Sequence, residues 1–94
     1  MTVQVLLPGA LAGLAGGARH LELQPDGGTL ADVLDALAAA HPVLCRRIRD
    51  ETGRVRRFVN VYVDGEDVRF AGGLSTPVTD GAEVQVLPSV AGGC

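Results

Sequence analysis

Apolar and polar residues alternate from Val3 to Leu7, with Val3, Val5 and Leu7 on one side, and Pro8-Gly9 breaks the run. That pattern predicts a strand and its end. The Gly- and Ala-rich stretch from Gly9 to Gly17 reads as a loop. Alternation returns over Arg19 to Leu23, with Leu21 and Leu23 as the inward pair, before Pro25-Asp26-Gly27-Gly28 makes a turn. Two such strands joined by a loop predict a hairpin. The period then changes: Leu30, Val33, Leu34 and Leu37 stand at i, i+3, i+4 and i+7, one apolar stripe of a helix. Thr29 is placed to cap its first free amides, and Asp32 completes a Thr-x-x-Asp box at the positive end of the helix dipole. His41-Pro42 ends it, because a residue before proline is pushed out of the helical region.

Beyond Pro42 the periodicity weakens to a short helical turn around Leu44, Cys45 and Ile48, then a polar segment with Asp50, Glu51 and Gly53. Phe58 to Val63 is the most strand-like run, and its Val-rich character suits a central strand. Asp64-Gly65 is a tight-turn signal, and Asp67 to Phe70 is expected to return as a short strand. After breaks at Gly72-Gly73 and Thr76-Pro77, Asp80-Gly81 introduces a last strand, Glu83 to Leu87, with Val84 and Val86 on one face. Strand, strand, helix, then two or three strands is an α+β order. It matches the β-grasp, a mixed sheet of four to five strands with one main helix packed across it. Residues 1–88 are expected to form that domain, and residues 89–94 a flexible C-terminal tail.

A chain of 94 residues supports one modest core. Only Phe58, Tyr62 and Phe70 are aromatic, so the interior must come from Val, Leu and Ala, which favours a small sheet and helix over a deep ligand pocket. The formal net charge of −3 argues against nucleic acid as a partner. All eight basic residues are Arg. The absence of Lys reads either as codon bias or as the removal of side-chain amines that an acylating group could modify. Six of those arginines lie between Arg46 and Arg57, either a docking surface for an acidic partner or a solvated loop. Interspersed acids and the lack of stacking aromatics favour the loop. Cys45 and Cys94 have no CxxC spacing and His20 and His41 lie in different segments, so no metal site is expected. Without a charged leader or a long apolar run, a cytoplasmic, membrane-free protein is expected.

The run Arg57-Phe58-Val59-Asn60-Val61-Tyr62-Val63-Asp64-Gly65-Glu66-Asp67-Val68-Arg69-Phe70 resembles the ubiquitin-like sulfur carriers. Gly72-Gly73-Leu74, Asp80-Gly81 and Leu87-Pro88-Ser89-Val90-Ala91-Gly92-Gly93 extend that resemblance. It covers roughly the last two fifths of the chain and is greatest to the carriers of cysteine biosynthesis. It implies a protein cosubstrate with no catalytic side chain and no cofactor of its own. An ATP-dependent adenylating enzyme would activate the carboxyl group of Gly93, sulfur would displace AMP, and the thiocarboxylate would serve a pyridoxal-phosphate cysteine synthase or another sulfur-acceptor enzyme. A secondary-metabolite or thiosugar pathway and molybdopterin synthesis stay open as destinations. So does a non-catalytic ubiquitin-like binding module.

Val90, Ala91, Gly92 and Gly93 would thread into partner sites, since glycines pass a narrow channel with backbone angles other residues resist. Pro88 marks the expected boundary between domain and tail. Cys94 departs from the family's Gly-Gly end and ties up the Gly93 carboxyl group in a peptide bond. It is an encoded cap removed by a zinc metallopeptidase, or a mimic of the cysteine adduct, or an added ligation handle. The cap is the favoured reading. A monomer suits a shuttle of this kind.

Overall fold

The computed structural model describes residues 1–88. Five strands form one sheet in the order β2-β1-β5-β3-β4: β1 is Val3–Leu6, β2 His20–Leu23, β3 Val59–Val63, β4 Glu66–Asp67 and β5 Glu83–Pro88. β1 and β2 form the expected antiparallel hairpin, from Val3 opposite Leu23 to Leu6 opposite His20. β5 runs parallel to β1 and antiparallel to β3. The sheet is therefore mixed, and the β-grasp architecture holds.

Helix α2, Leu30–Ala40, buries Leu30, Val33, Leu34 and Leu37 against the sheet. These are the four residues of the predicted stripe. Its start is fixed by a reciprocal box. The Asp32 amide donates to Thr29 Oγ1 at 3.4 Å, and the Thr29 amide donates to Asp32 Oδ2 at 3.1 Å. Gly27 passes so close to the Asp32 carboxylate that a Cβ there would collide with it, so the preceding turn needs glycine. His41 leaves the helical region at φ −139°, and α3, Pro42–Ile48, begins with Pro42 at its first position, where a missing N–H costs nothing. Leu44, Cys45 and Ile48 carry its buried side.

The facing side of the sheet contributes Val3, Val5, Leu23, Val59, Val61, Val63, Val84 and Val86. Full burial of such a side chain contributes about 1.5–3 kcal/mol. The core is aliphatic, as the composition requires, and Phe70 is left 88% exposed and Phe58 49% exposed.

Two expectations need correction. Gly9 to Gly17 is not a plain loop: α1, Gly9–Ala12, and a 3-10 turn, Gly13–Ala15, bury Ala12 and Ala15. The segment turns back only at Gly16 and Gly17, both with positive φ. Helix-forming Ala and Leu facing the core outweigh the glycine content. The stretch from Asp67 to Phe70 is not a strand, because β4 stops at Asp67, whose Oδ1 accepts from the Arg69 amide and turns the chain into a 3-10 turn, Val68–Phe70. β3 is an interior strand, as expected, paired with β5 on one side and β4 on the other, while β5 holds the middle place. The Asp64-Gly65 turn likewise has both residues at positive φ, 50° and 86°, as the hairpin signal requires.

Leu34→Ala should lower the free energy of unfolding by about 3 kcal/mol. Thr29→Ala should lower it by ~1 kcal/mol through loss of the cap. Denaturant titration checks both, with an unchanged m-value expected in each case.

Candidate functional site

The residues singled out for chemistry, Val90, Ala91, Gly92, Gly93 and Cys94, lie outside the described residues. What the structure does show is the platform from which they start. Val84 and Val86 of β5 are fully buried. A slip of one residue would turn both outward and Gln85 inward, so burial fixes the register. On one side β5 pairs with β1 from Gln4 opposite Glu83 to Leu6 opposite Gln85. On the other it pairs with all of β3, from Val63 opposite Val84 to Val59 opposite Pro88. The last residues of β5 are therefore held by β3 alone, and Pro88 sits opposite the first residue of β3.

The outer face of the sheet around this point mixes apolar and polar groups. Leu6 lies beside Gln85, Gln85 beside Tyr62, and Leu87 beside Asn60. Leu87 is 36% exposed, and Leu6, Tyr62 and Asn60 are half-buried. Phe58 precedes β3 with the Arg57 guanidinium 5.9 Å from its ring centre. This face carries hydrogen-bonding and aliphatic surface suited to a protein contact, and no group on it is poised for proton transfer or nucleophilic attack.

Beneath the start of β3 the chain leaves a groove of about 340 Å³, floored by Val55, Val59, Val61, Val68 and Leu74. Arg54, Arg56, Arg57 and Arg69 stand around it. The linear pattern gives no sign of this groove, because its walls come from the loop before β3, β3 itself and the two turns after β4. The one usable signal was the arginine cluster.

That cluster divides in space. Arg49 forms an ion pair with Asp35 of α2 at 3.0 Å, and Arg56 Nε donates to the carbonyl of Arg46 at 2.6 Å. Asp50 organises the intervening loop by accepting from the Thr52 amide at 2.9 Å and the Arg54 amide at 3.2 Å, as well as from the Thr52 hydroxyl. The Thr52 hydroxyl above all, then the two amides, hold the Asp50 carboxyl below its ordinary pKa despite some desolvation, with a smaller contribution from Arg56.

Cys45 is buried, and its thiol donates to the carbonyl of Leu34 at 3.5 Å. Burial pushes its pKa up; the nearby Arg49 opposes this and Asp35 adds to it. A desolvated neutral thiol is a poor nucleophile. Among the described residues, no group of three or more His, Cys, Asp or Glu side chains could hold a metal ion. No helix there is long and apolar enough to cross a membrane.

The family model of the ThiS family matches residues 5–93. The chain is 42% identical over 95 residues to the sulfur carrier protein CysO of Mycobacterium tuberculosis, covering 99% of this chain and 100% of that protein. It superposes on a chain of the crystal structure of the Amycolatopsis orientalis BexX/CysO complex with a TM-score of 0.84 and 38% identity, over 97% of this chain and 99% of that one. The crystal structure of SAMP1 from Haloferax volcanii gives a TM-score of 0.82 at 33% identity, over 99% and 100% of the two chains.

The placement of Cys45 makes a prediction that needs no partner. Iodoacetamide applied to the native chain should leave the Cys45 peptide unmodified, while the same treatment in denaturant should alkylate it fully. Peptide mass spectrometry reads both states, and rapid native alkylation of Cys45 would contradict its burial.

Proposed function

This chain belongs to the ThiS family, the ubiquitin-like sulfur carriers, and we propose that its working group is the carboxyl group of Gly93, exposed by removal of Cys94. The observation that carries this reading is the extent of the family match, which ends at residue 93 and so includes Gly92-Gly93 and leaves Cys94 outside. A peptidase, with zinc metallopeptidases the class suited to it, hydrolyses the Gly93-Cys94 bond and frees the carboxylate. One oxygen of that carboxylate attacks the α-phosphorus of ATP on an adenylating enzyme, and pyrophosphate leaves. Hydrosulfide then attacks the acyl carbon, AMP leaves, and the thiocarboxylate of Gly93 remains.

The chain itself supplies position rather than catalysis. Register pairing of β5 fixes Pro88 opposite Val59, so every partner meets the following residues at the same place on the domain. From Ser89 to Gly93 an extended chain reaches at most about 17 Å. That is far enough to bring Gly93 into a cleft while the sheet face stays at its mouth. Val90, Ala91, Gly92 and Gly93 are the segment that enters. The exposed Leu87 and Phe58, with Leu6 and Tyr62, suit the contact outside it.

The acceptor of the sulfur is a pyridoxal-phosphate cysteine synthase in this reading. High identity to a cysteine-type carrier over the whole chain supports that choice above a thiosugar or molybdopterin route. The Amycolatopsis complex supports the idea that a carrier of this shape is held by a partner protein. The all-arginine cation set also fits: guanidiniums stay protonated and do not capture an activated acyl group as lysine amines would.

Intact-protein mass spectrometry tests the reading. After cleavage of Cys94 and incubation with ATP, the adenylating enzyme and sulfide, the chain should gain the mass of one oxygen exchanged for sulfur, and Gly93→Pro should gain none. A chain that keeps Cys94 in its native cytoplasm and never gains sulfur would instead place a ubiquitin-like binding module first.

A further inference from the structure

We propose that the arginine-rimmed groove beneath the start of β3 is a docking site for an acidic peptide segment of a partner protein, one that carries an aliphatic side chain between its carboxylates. The floor is made of Val55, Val59, Val61, Val68 and Leu74 with Gly73 beside them, so the interior offers shape and mainly apolar surface. An aliphatic side chain fits such a hollow.

The rim determines the charge of the occupant. Four of the eight arginines surround this one opening in a chain of net charge −3. Among the described residues the one ion pair is Arg49–Asp35, away from the rim; none of the four makes a salt bridge there, and only Arg56 also feels a carboxylate, that of Asp50. Two of them are braced for contact. Arg69 donates to the carbonyls of Arg57 at 3.0 Å and Val59 at 3.2 Å, covering the edge of β3 that the two-residue β4 leaves open. Arg56 is anchored through Nε to Arg46, which leaves its terminal nitrogens to donate elsewhere. Arg54 and Arg57 are exposed and make no side-chain hydrogen bond to a described residue. Guanidiniums held in place around an apolar hollow match carboxylates through paired, charge-assisted hydrogen bonds. A nucleic acid would need a basic stripe with flat stacking surfaces, whereas here the floor is aliphatic and concave.

The groove also lies where a partner is needed. Val59, which lines it, is the pairing partner of Pro88, so a segment seated there stands beside the start of residues 89–94. In the sulfur-carrier reading this is a second foothold for an enzyme that takes the tail, apart from the outer sheet face. The identity of the partner rests on that reading, and the recognition chemistry does not.

The probe is an acetylated, amidated pentapeptide of alternating Asp and Leu, titrated into the full chain carrying ¹³C-labelled methyl groups. Saturable shifts are expected at the methyls of Val55, Val59, Val68 and Leu74. Arg54→Gln with Arg57→Gln should weaken binding by about tenfold, equivalent to ~1.4 kcal/mol. A control with Arg19→Gln and Arg47→Gln, an equal charge change at exposed positions off the rim, should not. Val55→Phe, which fills the hollow and keeps every charge, should abolish binding. No groove shift at millimolar peptide, equal binding of an Asn-Leu peptide, or tighter binding of a single-stranded oligonucleotide at the same methyls would each overturn the proposal. The titration uses neither Gly93 nor ATP, so its failure leaves the carrier reading standing, and a chain that never gains sulfur leaves this result intact.

Discussion

The position of β5 between β1 and β3 is the constraint on which the rest of the molecule depends. It is the last element among the described residues, yet its two inward valines are fully buried and it is flanked by a strand on each side. Placing the final strand in the centre closes the sheet around it, joins the N-terminal hairpin to the β3–β4 pair, and gives α2 a continuous apolar surface to cover. It also places Pro88 at the end of a strand whose first residues are paired on both sides and whose last residues are paired to β3. Moving Pro88 would require breaking the pairs of β5 with Val59, Asn60 and Val61.

This arrangement explains why so little chemistry is found on the domain. The interior is aliphatic and shows no buried polar side-chain atom without a partner among the described residues. Its buried thiol is held neutral by desolvation, and Asp50 and Asp32 spend their oxygens on backbone and hydroxyl groups. In the proposed reading the reactive atom belongs to the main chain, and the domain has only to fix where that atom can go. Charge is distributed to the same end. Arginines gather beside the exit of β5, while Glu22, Asp26, Asp32 and Asp35 line a depression on the far side of α2. The electrostatic field thus distinguishes one end of a small protein from the other, which matters for orienting an encounter more than for tight binding.

Residue order alone revealed much of this. The Thr29 box, the Leu stripe, the stop at His41-Pro42, the Asp64-Gly65 turn and the alternation of β1, β2 and β5 are local signals, each carried by neighbouring residues within one or two turns. The segment Gly9 to Gly17 misled because its glycines are conspicuous, while its Ala and Leu residues become informative only when a core lies beneath them. Asp67 to Phe70 misled because strand content there depends on a side-chain carboxylate bending the backbone, which alternation does not register. Which strand lies in the middle was also invisible locally, since β1, β3 and β5 carry the same Val-rich inward pattern.

The sequence by itself determined most of the elements, the aliphatic character of the core, and the Gly92-Gly93 end on which the proposed chemistry rests. Those are properties of composition and short-range spacing, where propensity and period act over a few residues. Tertiary structure alone decided the central place of β5, the pairing of Pro88 with Val59, and the gathering of Val55, Val68 and Leu74 with four arginines into one groove. Residues up to 20 positions apart meet there only because β3, its preceding loop and the turns after β4 pack against a common core. No local propensity encodes that meeting. It follows from the free energy of burying the inward faces together, which is settled only when the whole chain has folded.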